Sequence, residues 1–161
     1  MRESEGDLAS EGGEGESRVE NRGKRKRSSF VVESKVFEVV VEERNGKSHA
    51  IISESKGGVV SWVWLGPANV GLLIEGLIQC TKDGKDGIWE KGWKEKGRIY
   101  SLVREANRAG SFIRLGATDL EKRRFGICIP KGKGEKGGWV SMVESLLWVG
   151  FRREEEVVAQ G

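Results

Sequence analysis

The sequence predicts an α+β fold: two strand-rich repeats, each closed by one helix, over residues 30–151. Three observations carry this reading. Apolar residues alternate over runs of strand length. Turn signals containing Gly and Asn separate those runs. After each group of strands the apolar spacing changes to that of a helix. The order of elements returns after roughly 60–70 residues, as an internal duplication would make it.

Residues 1–29 hold Gly, Ser, Glu and Arg with almost nothing apolar, so a disordered tail is expected there, acidic and then basic. From Phe30 to Glu43 the run is rich in Val and Phe, with Phe37, Val39 and Val41 on one face of a strand. Asn45-Gly46 marks a hairpin turn, because both central residues of a type I′ turn need positive φ. A strand follows at about Ser48–Glu54, then a turn at Lys56–Gly58, then a strand at Val59–Leu65. Pro67 suits the first turn of a helix, whose apolar side holds Leu73, Ile74, Leu77 and Ile78. These elements make the first repeat, residues 30–80.

Residues 81–97 read as a connector rich in Lys, Gly and Asp, in which Trp89 and Trp93 are the candidates for exposed contacts. The second repeat, 98–150, has strands at Ile99–Glu105, Ser111–Ala117 and Arg124–Pro130. Its helix spans Trp139–Val149, with Val143, Leu146 and Leu147 on the apolar side and Gly150 as the stop. Residues 152–161 form a polar C-terminal tail. Trp62, Trp64, Trp139 and Trp148 lie in or beside apolar periodicity and are expected to anchor the core.

Charge is unevenly spread. Residues 91–138 carry 13 basic and 5 acidic side chains, whereas residues 30–90 carry 6 basic and 9 acidic. Such a cationic stretch suits a polyanionic partner. Two cysteines and one histidine supply neither a disulfide framework nor a metal set, so no metal or cofactor is expected. No nucleophile–base pair can be assembled, so no catalytic residue is assigned and the chain is read as a non-enzyme with no small-molecule substrate. No apolar run reaches membrane-spanning length, and the acidic N-terminus lacks signal-peptide order, so an intracellular protein with no membrane partner is expected.

Tyr100 and Leu102, then Glu105, Asn107 and Gly110, then Phe112-Ile113-Arg114-Leu115 and Ile127–Pro130 form a connected pattern. Residues 98–150 thereby resemble a PUR repeat, the nucleic-acid-binding unit of the purine-rich element binding proteins. Residues 35–80 resemble a partner repeat in element order but lack the arginine–phenylalanine signature. The chain is also similar to N-terminal domains of plant retroelement-derived proteins. The resemblance implies two intertwined repeats with curved antiparallel sheets packed on helices, and single-stranded DNA or RNA on the sheet.

The residues support such a site on their own terms. Phe112 and Arg114 share one strand face, opposite Ile113 and Leu115, and offer a stacking surface beside a phosphate partner. Arg104, Arg108, Lys122, Arg123 and Arg124 lie on neighbouring turns and strands. Face alternation alone equally allows Phe112 in the core and the cations as a solvated turn. The glycines of Lys131–Gly138 resemble a phosphate-cradling loop without the Walker pattern. Lys24, Arg25, Lys26 and Arg27 fit a nuclear localisation signal, and equally a flexible arm on phosphates, so a nuclear site is expected, with the cytoplasm as the alternative. The expected function is binding of single-stranded nucleic acid with low sequence specificity, with a homodimer allowed. The alternative is a protein-interaction or dimerisation module that has lost nucleic-acid binding.

Overall fold

The computed structural model of the chain describes residues 17–22, 25–83, 87–133 and 136–153. Among the described residues, nine strands and two helices follow in the order β1 (Ser17–Arg22), β2 (Arg25–Val32), β3 (Lys35–Arg44), β4 (Lys47–Lys56), β5 (Val59–Leu65), α1 (Pro67–Asp83), β6 (Trp89–Glu95), β7 (Arg98–Asn107), β8 (Gly110–Thr118), β9 (Arg124–Pro130) and α2 (Gly138–Trp148). The strands make two antiparallel meanders, β1-β2-β3-β4-β5 and β6-β7-β8-β9, each followed by a helix. The expected α+β class and the paired arrangement of sheets and helices are therefore present. Both halves contain a block of four strands and a helix, a symmetry consistent with duplication.

Two expectations need correction. Residues 25–29, expected as tail, form the first half of β2, and Ser17–Arg22 pair with it as β1; residues 1–16, 23 and 24 lie outside the described residues. A polar strand is held here by backbone pairing on both sides, with Phe30 opposite Phe37 and Ser28 opposite Val39. The buried Ser28 hydroxyl also donates to Ser145 of α2 at 2.9 Å. The supposed connector 81–97 contains the end of α1 and the whole of β6. Its alternating residues Trp89, Lys91, Trp93 and Glu95 are half-buried, and both tryptophans pack on the core rather than standing exposed. Gly76 of α1 makes room for Trp89: a Cβ there would lie 3.1 Å from the indole and 2.5 Å from Leu102.

The core lies between the sheets. Phe37, Val39, Ile52, Val63 and Leu65 face it from the first sheet, and Leu102, Ile113, Leu115, Ile127 and Ile129 from the second. Helix α1 contacts β4, β5 and β7, whereas α2 contacts β2 and β9, so each helix touches both halves of the chain. Helix α2 ends at Gly150 (φ +113), with Phe151 N–H donating to Leu146 O at 3.0 Å and Gly150 N–H to Leu147 O at 3.1 Å. Of the expected C-terminal tail, Arg153 instead makes a two-pronged bond to Glu75 of α1, with both contacts at 3.0 Å; residues 154–161 lie outside the described residues.

The free edge of β9 is covered by the first half. Lys35 Nζ donates to Cys128 O at 3.0 Å, and Cys128 N–H donates to the Glu54 carboxylate. Lys35 and Glu54 are themselves ion-paired at 3.0 Å. An unpaired strand edge is a template for aggregation, and these two side chains occupy it at its middle.

Candidate nucleic-acid interface

Strand β8 sets the site by simple alternation. Ile113 and Leu115 are completely buried, which turns Phe112, Arg114, Gly116 and Thr118 to the opposite face. Phe112 is half-buried and Arg114 exposed. The Arg114 guanidinium lies 5.8 Å from the centre of the Phe112 ring and is ion-paired with Glu105 of β7. Phe112 is thus on the sheet's outer face and not under α2. The aromatic and the guanidinium already form a cation–π pair, an arrangement ready to accept a base against it.

The register extends this face across four strands. Gly92, Ser101, Gly116 and Gly126 pair in one row through β6, β7, β8 and β9. A strip spanning about 14 Å, three inter-strand spacings, therefore carries no side chain larger than a serine hydroxymethyl. Gly126 has no space for more: a Cβ there would lie 2.9 Å from the Leu115 carbonyl oxygen. One neighbouring row is Lys94, Ile99, Thr118 and Arg124; the other is Glu90, Val103, Arg114 and Cys128. A flat ring or sugar can lie on this strip against the backbone, between side chains that stand up on either side.

The expected cations have different situations. Arg104 is the clear correction. It faces the core, 3% exposed, where it donates through Nε to Gly87 O at 2.9 Å and through Nη1 to both Asp83 oxygens at 2.9 and 3.1 Å. It ties the end of α1 to the entry of β6 and offers nothing to a phosphate. Arg123 is exposed but pairs with Asp119 at 2.9 Å and Glu121 at 3.2 Å. Burial pushes the Asp119 carboxyl up, but hydrogen bonds from Arg123 and Glu121 outweigh it and hold the group below its usual range. Lys122, with φ +66 in the same turn, and Arg124 are exposed and make no ion pair with a described carboxylate. Arg108, in the β7–β8 turn, is likewise exposed and without an ion pair to a described carboxylate. Lys94, which sequence reasoning did not single out, stands on the same face as Arg124; the alternation within β6 was its one signal.

Other expected features lie elsewhere. Lys24 lies outside the described residues; Arg25, Lys26 and Arg27 are in β2, and Arg27 pairs with Glu38 at 3.2 Å. Of the glycines in Lys131–Gly138, Gly134 lies outside the described residues, and Gly137 and Gly138 sit in close backbone packing. Gly138 N–H donates to Lys131 O at 2.8 Å, and a Cβ on Gly137 would lie 1.8 Å from that same oxygen. Trp139 is buried as expected and donates to Ile129 O at 2.9 Å. Trp148 is 67% exposed and Trp62 44%, so neither is a core anchor; Trp64 is half-buried against His49, with ring centres 4.5 Å apart. Burial raises the pKa of both cysteine thiols. Among the described residues no group of His, Cys, Asp and Glu could hold a metal ion, and no helix is long and apolar enough to cross a membrane. A scan against models of known protein families finds no match to this chain, and a search of curated proteins finds none either.

Proposed function

We propose that the chain binds single-stranded nucleic acid on the outer face of the β6–β9 sheet, with low sequence specificity and no catalysis. The observation that carries this reading is the bare row Gly92–Ser101–Gly116–Gly126 beside the Phe112–Arg114 pair. Every base has a π-face, so a stacking platform over an open strip accepts any sequence. Lys94, Arg108, Lys122 and Arg124, at the margins of the face, are the phosphate partners. The resemblance of residues 98–150 to a PUR repeat supports the same reading. The test is fluorescence anisotropy with unstructured DNA and RNA oligonucleotides at two salt concentrations: micromolar or tighter binding that weakens steeply with salt is expected, and salt-insensitive or absent binding refutes it.

One observation favours the second reading, an interaction module. The outer side of the first sheet carries several apolar side chains: Val40 pairs with Ile51, and Val60 and Trp62 are 61% and 44% exposed. If that face joins two copies, sedimentation should show a dimer that dissociates on dilution and is weakened by Trp62→Glu.

A further inference from the structure

A cleft of about 580 Å³ opens between the β4–β5 end of the first sheet, the start of α1 and the β6–β7 hairpin. Its Trp64 and His49 continue the outer face of the first sheet, where Trp64 pairs with Ile51, and its other lining residues stand apart from the outer face of the β6–β9 sheet. Its wall is largely apolar: Trp64, Pro67, Ala68 and Tyr100 line it. Its rim is cationic, with Lys47, Lys96 and Arg98. None of these three makes an ion pair with a described carboxylate. The one carboxylate in the lining, Glu95, is occupied by Asn69 Nδ2 at 2.6 Å, and Asn69 Oδ1 accepts from Trp93 Nε1 at 2.7 Å.

The aromatic wall is itself held in place. The Trp64 indole stacks on His49 with an interplanar angle of 12°, and the guanidinium groups of Arg98 and Arg44 approach it at 5.0 and 5.5 Å. The positions of these groups fit a ligand that has both an aromatic body and an anionic end. The volume is in the range of small-molecule sites and suits one nucleotide. The start of α1 adds to the anionic end: the first bond within the helix is Val70 N–H to Gly66 O at 3.0 Å, and no acidic residue lies in the first turn.

We propose that this cleft binds a nucleoside monophosphate, with the base against the apolar wall and the phosphomonoester among Lys47, Lys96 and Arg98. The same chemistry is offered by a free nucleotide and by the phosphorylated end of a strand. The second source rests on the proposed binding of single strands; the first does not.

The test is an NMR titration of the full chain with adenosine 5′-monophosphate, with orthophosphate, and with an oligothymidylate bearing either a 5′-phosphate or a 5′-hydroxyl. Adenosine 5′-monophosphate should shift the Ala68 and Asn69 amides and the Trp64 indole N–H saturably, and orthophosphate should shift the amides more weakly. Lys47→Glu and Lys96→Glu, both at exposed positions, should each lower the nucleotide affinity about tenfold, the loss of one charge-assisted bond. Their unchanged amide spectra away from the cleft would show intact folding. A preference for the 5′-phosphorylated strand of about tenfold supports strand-end capture; nucleotide binding without that preference supports a free nucleotide as the ligand. Absence of saturable shifts with both the nucleotide and orthophosphate overturns the proposal, as do shifts that survive both lysine reversals at full affinity. The 5′-hydroxyl strand reports the sheet face separately: if it fails to bind while the nucleotide still shifts the cleft, only the sheet reading falls. If it binds while the nucleotide does not, only the cleft proposal falls.

Discussion

Lys122, Arg123 and Arg124 are adjacent in sequence, yet their surroundings make them unequal partners for a phosphate. Arg123 is already bonded to Asp119 and Glu121, whereas Lys122 and Arg124 have no described acidic partner. Counting Lys94 and Arg108 as well, the β6–β9 face offers four cations that make no ion pair with a described carboxylate. At about 0.7 per phosphate on a single strand, log K should fall against log salt with a slope near −2.8 if all four engage. A fourfold rise in salt then weakens binding by about 50-fold. Replacing Lys122 and Arg124 together by Ala should reduce the slope to about −1.4 and the weakening to about sevenfold. Arg123→Ala should leave the slope near that of the parent, since a guanidinium held by two carboxylates neutralises no phosphate and so releases none of the strand's counterions. The assay is anisotropy of a labelled oligothymidylate between about 50 and 200 mM salt, after circular dichroism has shown that each variant is folded. Two results would refute the reasoning: an unchanged slope in the double variant, or an Arg123→Ala slope that falls as far as the double variant's.

Phe112→Ala should weaken binding by about 1–3 kcal/mol with the slope unchanged, since stacking displaces few ions; equal loss of slope in the same titrations would place Phe112 outside the stacking site. Arg104→Leu should lower Tm while sparing the salt dependence, because the guanidinium holds Asp83 and Gly87 and is itself buried away from any phosphate; a flattened slope with normal Tm would contradict that role. Gly126→Ala should destabilise by about 1–3 kcal/mol in urea unfolding, as its Cβ meets a backbone oxygen that cannot swing aside; full stability would mean that the strip is not closely packed there. Both thiols should alkylate slowly at neutral pH in the folded chain, since a raised pKa leaves less thiolate, and faster as pH rises or urea is added; rapid labelling of the native chain at pH 7 would count against it.

The readable parts of this fold were those where local chemistry and tertiary role agree. Asn45-Gly46 reads as a turn and has φ of +55 and +75, and Leu73, Ile74 and Leu77 read as a buried helix face and are. Strand β2 escaped because its turn into β3 places Glu33 and Ser34 at φ +51 and +68, positions where a reader looks for Gly or Asn. Strand β6 escaped because Lys and Glu alternate with its tryptophans on the inward side as well as the outward. That Phe112 and Arg114 share a face followed from alternation, but whether that face is open or buried did not, and neither did the state of each arginine. Residue type cannot show that Arg104 is sealed by Asp83 while Arg124, equally basic, is free. The glycine row was invisible for a related reason: it exists only across strands, between residues as far apart in sequence as Gly92 and Gly126.

The placing of the two helices has a consequence for how the chain reaches its native state. Strand β2 rests against α2, and α1 rests against β7. When β2 to α1 have left the ribosome, α1 can already pack on β4 and β5 and Phe30 on Phe37, but the surfaces that β2 buries against α2 and α1 against β7 have their partners yet to be synthesised. A truncated nascent chain ending after Asp83 should therefore recruit holdase chaperones and resist compaction, with order arriving in a single late step once Phe151 is free. Cooperative closure across so long a stretch of chain is slow. The same wiring makes the halves complementary pieces: expressed separately but together, they have every contact needed to find each other.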